Sequence, residues 1–345
     1  MIPLLLAACA PEPCSLPTDD TLGPLTPWEE VFLAEEGIPQ SPSPAYMTAE
    51  DGVPLAYHDW VPEGWDGTGP VVLLFHGSSA YAEVYGVLGR ALAEEGVYAR
   101  LPDLRGHGRS VCPRSGCGDP ETVDRAPADD GVYWPGRPGD AGDEDQLVRD
   151  LTQHLADLRE AWPEARLHLA GHSSGGGLVS RAVERGAAAM VDSVALIAPY
   201  THADAAQVRP EVRLDCPEVA GTAYARVDLG ALGAALRGDP HRYVLSFEKG
   251  ELATDQDTLA YTWPMMTGLA TNDPTTSWSA YTVPLLVVVG EEDALLDPTA
   301  WDSVLERTPG PSQLWRVPET SHIGLTWSDE VGVGLAGWFR EGIAP

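Results

Sequence analysis

Hydrophobic positions along this chain form two patterns: runs that are apolar throughout, and stretches with apolar residues three or four apart. Pro70–Phe75 and Val283–Val289 belong to the first kind, as in strands covered on both faces of a parallel sheet. Val97–Leu101, Arg166–Ala170, Val191–Ala198 and Gln313–Val317 predict further strands. Between them, Tyr85–Glu95 carries Val87, Leu88, Leu92 and Ala93 at helical spacing and stops at Gly96. Asp145–Trp162 aligns Leu147, Val148, Leu151, Leu155 and Leu158 on one side of a helix. Helices are also expected at Thr299–Arg307 and Glu330–Arg340. Tyr46–Thr48 and Val53–Trp60, joined by Glu50-Asp51-Gly52, read as an antiparallel hairpin.

Strands alternating with helices predict an α/β fold with a mostly parallel, doubly wound sheet and helices on both faces. Residues 201–281 interrupt that alternation with Trp- and Tyr-bearing sequence read as helical. The expected layout is therefore a core of residues 45–200 and 282–345 with a helical cap insertion at 201–281. Such an insertion would lie over the strand ends, where ligands bind in these folds.

Residues 1–44 have a different character. Met1–Ala8 is apolar, and Leu6-Ala7-Ala8-Cys9 resembles a lipobox, the signal for cleavage and lipidation of bacterial envelope lipoproteins. Acyl chains on Cys9 would tether the protein to a membrane surface, on the periplasmic or extracellular side. The apolar run is short and lacks a basic n-region, and the alternative is a cytoplasmic protein with an incidental cysteine. The Pro-, Ser- and acid-rich stretch that follows suits a tether. Within it, Thr26-Pro27-Trp28-Glu29 reads as a capping-box helix start, with Gly37 closing a short helix that docks through Trp28, Val31 and Phe32.

Composition narrows the partners. The chain of 345 residues has 52 acids against 21 bases, formally −31, and Lys249 is its single lysine. That surface repels phosphate backbones and excludes nucleic acid as a partner class. No apolar run reaches the length of a membrane-spanning helix. Cys112 and Cys117 could close a small disulfide loop in an oxidising compartment, with a zinc site or reduced thiols as alternatives.

The chemistry concentrates in Gly171-His172-Ser173-Ser174-Gly175, set between a predicted strand and a predicted helix. A sharp strand-to-helix turn needs small neighbours and pushes one serine hydroxyl outward, which makes Ser173 the candidate nucleophile. A serine needs a base, and the base needs an orienting group. Asp293 follows an apolar strand, and Glu292 and Asp297 are the reserves. His322 follows the last strand and precedes the last helix, which places an imidazole at the same edge. The amides of Ser174 and of Ser78, in the loop after Phe75, are the candidate oxyanion donors. His76 reads as a brace for that loop.

Together these pieces resemble the α/β-hydrolase superfamily, and within it the monoacylglycerol-lipase-like group that includes serine aminopeptidase S33, or hydrolase-4, domains. The residues that carry the resemblance are His76-Gly77, Asp103-Leu104-Arg105-Gly106-His107-Gly108-Arg109-Ser110, Gly171–Gly175, Gly290–Asp293 and Ser321-His322. It implies a triad of Ser173, Asp293 and His322, a mobile cap, and structural roles for His107 and Arg109. Residues 111–143 are longer than the family's usual connection, and Trp263-Pro264 stands where the family has Asp-Pro. No metal or organic cofactor is implied.

The expected substrate is a small carboxylic ester of the monoacylglycerol or lysophospholipid kind, with Tyr261, Trp263, Met265 and Met266 either lining an acyl pocket or packing a core. An aminopeptidase is the alternative, with Asp204, Glu211, Asp215 and Glu218 available to hold a substrate ammonium. A silent envelope binding protein on the same scaffold is the rival from another class.

Overall fold

The computed structural model describes residues 25–210, 213–215, 219–222, 225–247 and 254–342; at 213–215 and 219–222 the backbone alone is described. Cys9, Cys14 and Cys216 lie outside the described residues.

Helix α1 (Pro27–Glu35) precedes a hairpin of β1 (Ala45–Thr48) and β2 (Pro54–Trp60). Strand and helix then alternate through β3 (Pro70–Phe75), α2 (Gly86–Glu94), β4 (Tyr98–Pro102), α3 (Gln146–Ala161), β5 (Arg166–His172), α4 (Ser174–Glu184) and β6 (Ser193–Ile197). Five short strands follow: β7 (Arg213–Asp215), β8 (Val219–Thr222), β9 (Ala225–Asp228), β10 (Tyr243–Phe247) and β11 (Ala260–Thr262). Two helices accompany them, α5 (Leu229–Ala235) and α6 (Trp263–Gly268). The core resumes with β12 (Leu285–Gly290), α7 (Trp301–Leu305), β13 (Ser312–Val317) and α8 (Asp329–Glu341).

The central sheet runs β1-β2-β4-β3-β5-β6-β12-β13, with β2 antiparallel to β4 and the strands from β4 to β13 parallel. Every residue of β3 and of β12 is buried, which is why both read as unbroken apolar runs. Register aligns Phe75 with Gly171, His172 with Ile197, and Gly290 with Val317. The carboxyl ends of β3, β5, β6, β12 and β13 therefore form one rim, and the loops leaving them converge.

The insertion differs from the expected helical cap. Its main element is a five-stranded antiparallel sheet, β11-β10-β9-β8-β7, and its helices are short. The N-terminal helix also docks differently from expectation. Phe32 is buried and stacks on Trp327, with ring centroids 6.1 Å apart, but Val31 points to solvent at 54% exposure. A helix this short presents one face to the body, and Val31 falls off it. Among the described residues, no helix is long and apolar enough to cross a membrane.

Candidate active site at the carboxyl rim of the sheet

Ser173 occupies the one-residue turn between β5 and α4 at φ 52° and ψ −123°, a conformation costly for any residue with a side chain. Its amide bonds Ile197 O at 2.9 Å, which ties the turn to β6. The glycines around it permit the close packing this requires. A Cβ on Gly171 would come within 2.4 Å of Gly175 O, and one on Gly175 within 2.4 Å of His76 O. Helix α4 thus starts at the serine and aims its N-terminal amides and positive end there.

His322 lies in the loop after β13 and Asp293 in the loop after β12. Both are buried, and His322 Nδ1 meets Asp293 Oδ2 at 2.7 Å. The other carboxylate oxygen, Oδ1, accepts from the amides of Leu295 and Leu296, each at 2.8 Å. Arg209 Nε donates to Asp293 O at 2.9 Å. The carboxylate is thus fixed in rotation, and the oxygen left over faces the imidazole. His322 Nε2 has no hydrogen-bond partner among the described residues. His172, the neighbour of Ser173, has its ring centroid 4.9 Å from that of His322 and bonds His322 O through Nε2 at 3.1 Å. The reserve acid Asp297 spends its carboxylate on Thr299, and Glu292 is exposed.

The loop after β3 is held by two tyrosine–histidine relays. Gly77 N–H donates to Tyr85 Oη at 2.7 Å, so the Tyr85 proton goes to His172 Nδ1 at 2.7 Å, and His172 Nε2–H goes to His322 O. Ser79 N–H donates to Tyr261 Oη at 2.7 Å; that hydroxyl donates to His107 Nε2 at 2.6 Å, and His107 Nδ1–H goes to Arg105 O at 3.0 Å. Both imidazoles must be neutral for this polarity. Burial drives the His172 pKa well below its ordinary value, helped by the neighbouring His322, and burial takes His107 down to about 3. With the amides on either side occupied, that of Ser78 has no protein acceptor among the described residues, and neither has that of Ser174. Ser78 Oγ donates to Ser174 Oγ at 2.8 Å, which ties the loop after β3 to the start of α4. His76 spans Gly77 O and Leu104 N and is buried.

Other candidates separate from this centre. Tyr261 is buried, and its hydroxyl serves the second relay rather than an open pocket. Met265 is buried in the main core, with Met266 packed against that core, and Trp263 is half-buried. Asp204 is exposed and lies 3.9 Å from His202; the side chains of Glu211, Asp215 and Glu218 lie outside the described residues. Cys112 and Cys117 are joined in a disulfide, with Cys112 buried beneath the loop. Arg105 bridges Asp51 and Asp150, and Arg109 pairs with Glu83 and Glu121. A groove of about 440 Å³ between residues 38–44, Tyr81, Glu83, Val84 and Arg109 touches none of the rim residues above. Among the described residues, no group of three His, Cys, Asp or Glu could hold a metal ion. Tyr85 escaped the sequence reading because, at a helix start, it reads as one more apolar position.

This fold, with a strained serine turn after its fifth strand and an acid–imidazole pair on the same rim, defines an α/β hydrolase. The hydrolase-4 family model, described as serine aminopeptidase S33, matches residues 68–323, and the chain belongs to that family. Several solved structures share the architecture. A soluble variant of monoglyceride lipase from Saccharomyces cerevisiae, in complex with a substrate analog, is 17% identical with TM-score 0.62, covering 89% of this chain and 97% of its own. A monoacylglycerol lipase from Paleococcus ferrophilus is 15% identical with TM-score 0.56, covering 84% and 99%. Est1E from Butyrivibrio proteoclasticus, bound to ferulic acid, is 16% identical with TM-score 0.52, covering 86% and 97%. At these identities the likeness is one of fold. No curated protein sequence matches the chain.

Proposed function

We propose that this hydrolase is a serine esterase that cleaves small carboxylic esters through an acyl-enzyme on Ser173. The observation that carries the reading is the Asp293–His322 pair at 2.7 Å, whose second imidazole nitrogen has no partner among the described residues, on the rim that holds the serine turn. In this reading His322 Nε2 takes the Ser173 proton as Oγ attacks the ester carbonyl. The Ser78 and Ser174 amides stabilise the oxyanion, and His322 returns the proton to the departing alcohol. Water then repeats the sequence on the acyl group. Asp293 stabilises the imidazolium and fixes its tautomer.

Ester rather than peptide substrates are supported by the lipase and esterase neighbours. They are supported too by the exposure of Asp204, the one described carboxylate among those named for holding an ammonium. The same proposal reads Cys9 as a lipidation site, which would bring the enzyme to a membrane surface carrying single-chain lipid esters.

A fluorophosphonate probe should label the wild type and leave Ser173→Ala unlabelled. Turnover of p-nitrophenyl esters of graded chain length should exceed turnover of aminoacyl anilides. Labelling that persists in Ser173→Ala, or a preference for anilides, overturns the assignment.

A further inference from the structure

We infer that Glu29 is a positioning residue for His322, and that α1 holds the histidine loop in place from outside the family domain. This rests on the role proposed for His322. Helix α1 lies before the residues matched by the family model, 68–323. Its Glu29 is nonetheless fully buried, a costly location for a carboxylate unless strong partners compensate.

Those partners are backbone amides. Oε2 accepts from Thr26 N at 2.8 Å, the local capping bond. Oε1 accepts from Ser321 N at 2.9 Å, across 292 positions of sequence, and Ser321 is the residue before His322. Among the described residues no cation pairs with Glu29. Beside it, Trp28 Nε1–H donates to Glu319 O at 2.8 Å, so neighbouring residues of α1 grip two points of the 319–324 loop.

The loop needs holding. Glu319 sits at φ 51°, in the left-handed region that non-glycine residues avoid. A Cβ on Gly324 would fall 1.6 Å from Glu29 Oε1, so loop and carboxylate are in contact with no slack. On the other side, a Cβ on Gly290 would fall 2.2 Å from Thr320 O. The histidine loop is pinched between α1 and the end of β12, and the Phe32–Trp327 stack keeps α1 seated. Asp293 sets the rotation of the imidazole, whereas Glu29 and His172 set the position of the backbone that carries it.

Two acceptor oxygens face two N–H donors, so glutamine preserves the volume but turns one amide hydrogen against an N–H. Full-length Glu29→Gln and Glu29→Ala therefore separate size from acceptor chemistry. Against p-nitrophenyl butyrate, kcat should fall about ten- to a hundredfold, the usual consequence of misplacing a reacting group by an ångström, while KM stays within about threefold. Amide hydrogen exchange should speed up in the peptide covering 319–324 and remain unchanged in the peptide covering α4. A folded Glu29→Gln with kcat within twofold of wild type overturns the inference, as does unchanged exchange at 319–324. If the wild type itself neither labels nor turns over esters, the catalytic reading of His322 falls separately. The exchange measurement then decides alone whether Glu29 holds the loop.

Discussion

Replacing Asp293 with asparagine tests the tautomer argument at its narrowest point. Oδ1 accepts two amides, from Leu295 and Leu296 at 2.8 Å each, so in the variant this position must stay an oxygen. The new NH2 group then replaces Oδ2, 2.7 Å from His322 Nδ1. An NH2 group cannot accept, so Nδ1 becomes the acceptor and the ring proton moves to Nε2. In the proposed mechanism, an Nε2–H cannot take the Ser173 proton. The same exchange in a Ser-His-Asp triad lowers kcat about 10⁴-fold, roughly 5.5 kcal/mol of barrier. Flipping the amide offers no escape. It would set NH2 against two N–H donors and leave both unsatisfied, at about 1–3 kcal/mol for each group. Initial rates on p-nitrophenyl butyrate at pH 7–8 measure the loss, and a cooperative melt shows that the fold survives. A folded Asp293→Asn within tenfold of wild type would refute the claim that Asp293 orients the base.

Further outcomes follow from the relays and from the N-terminus. Tyr85→Phe strands Gly77 N–H and His172 Nδ1 in a buried setting, so urea unfolding should show a loss of roughly 2–6 kcal/mol. Its kcat should fall more than its KM rises, and unaltered stability counts against the relay. Acid should destabilise the fold through buried neutral histidines: burial lowers His107 and His154 to about 3 and His168 to about 4. The unfolded chain binds these protons near pH 6.5 and the folded chain does not, so stability is lost as pH falls from about 6.5 towards 4. Between pH 6 and 5 the three together remove roughly 3–4 kcal/mol, before most carboxylates titrate. Urea midpoints that are equal at pH 6 and 5 would contradict this. Metabolic labelling with a palmitate analogue in a bacterial host should mark the wild type and be absent from Cys9→Ser; equal labelling of both removes the anchor.

The sheet was legible because its central strands are covered on both faces. That condition writes continuous apolar runs such as Pro70–Phe75, and the strands of the fold differ from the expected ones by a residue or two at their ends. The insertion is hard to read for the complementary reason. Strands of three to five residues, such as Arg213–Asp215 and Ala260–Thr262, are too short to display alternation. The Trp- and Tyr-bearing sequence of 201–281 then reads as helix, and α6 supplies only a short one. Asp293 and His322 could be nominated by position after a strand. The choice of oxygen facing the imidazole depends on amides that no pattern reveals. Tyr261 reads in the sequence as a residue of an acyl pocket or of a core, whereas in the fold its hydroxyl does the holding. Glu29 was recognised as a capping residue, and one oxygen does cap. The other reaches a partner 292 positions away, a pairing that only the folded chain creates.

The distribution of backbone strain explains why so many polar groups are buried around this rim. Among the described residues, the non-glycine positions with positive φ are Ser79, Ser173, Ala198 and Glu319, and each follows the carboxyl end of β3, β5, β6 or β13. At about 1–3 kcal/mol apiece, such positions together approach the net stability of a typical domain. They persist only where neighbours over-determine them. Ser79 has Tyr261 on its amide, Ser173 bonds Ile197, Ala198 bonds Val288, and Glu319 receives the Trp28 indole. Losing one brace therefore allows a strained loop to relax without unfolding the sheet. This is why damage at Tyr261 or Trp28 should appear in kcat, through loops that no longer meet at one point, while the apolar layers beneath remain packed.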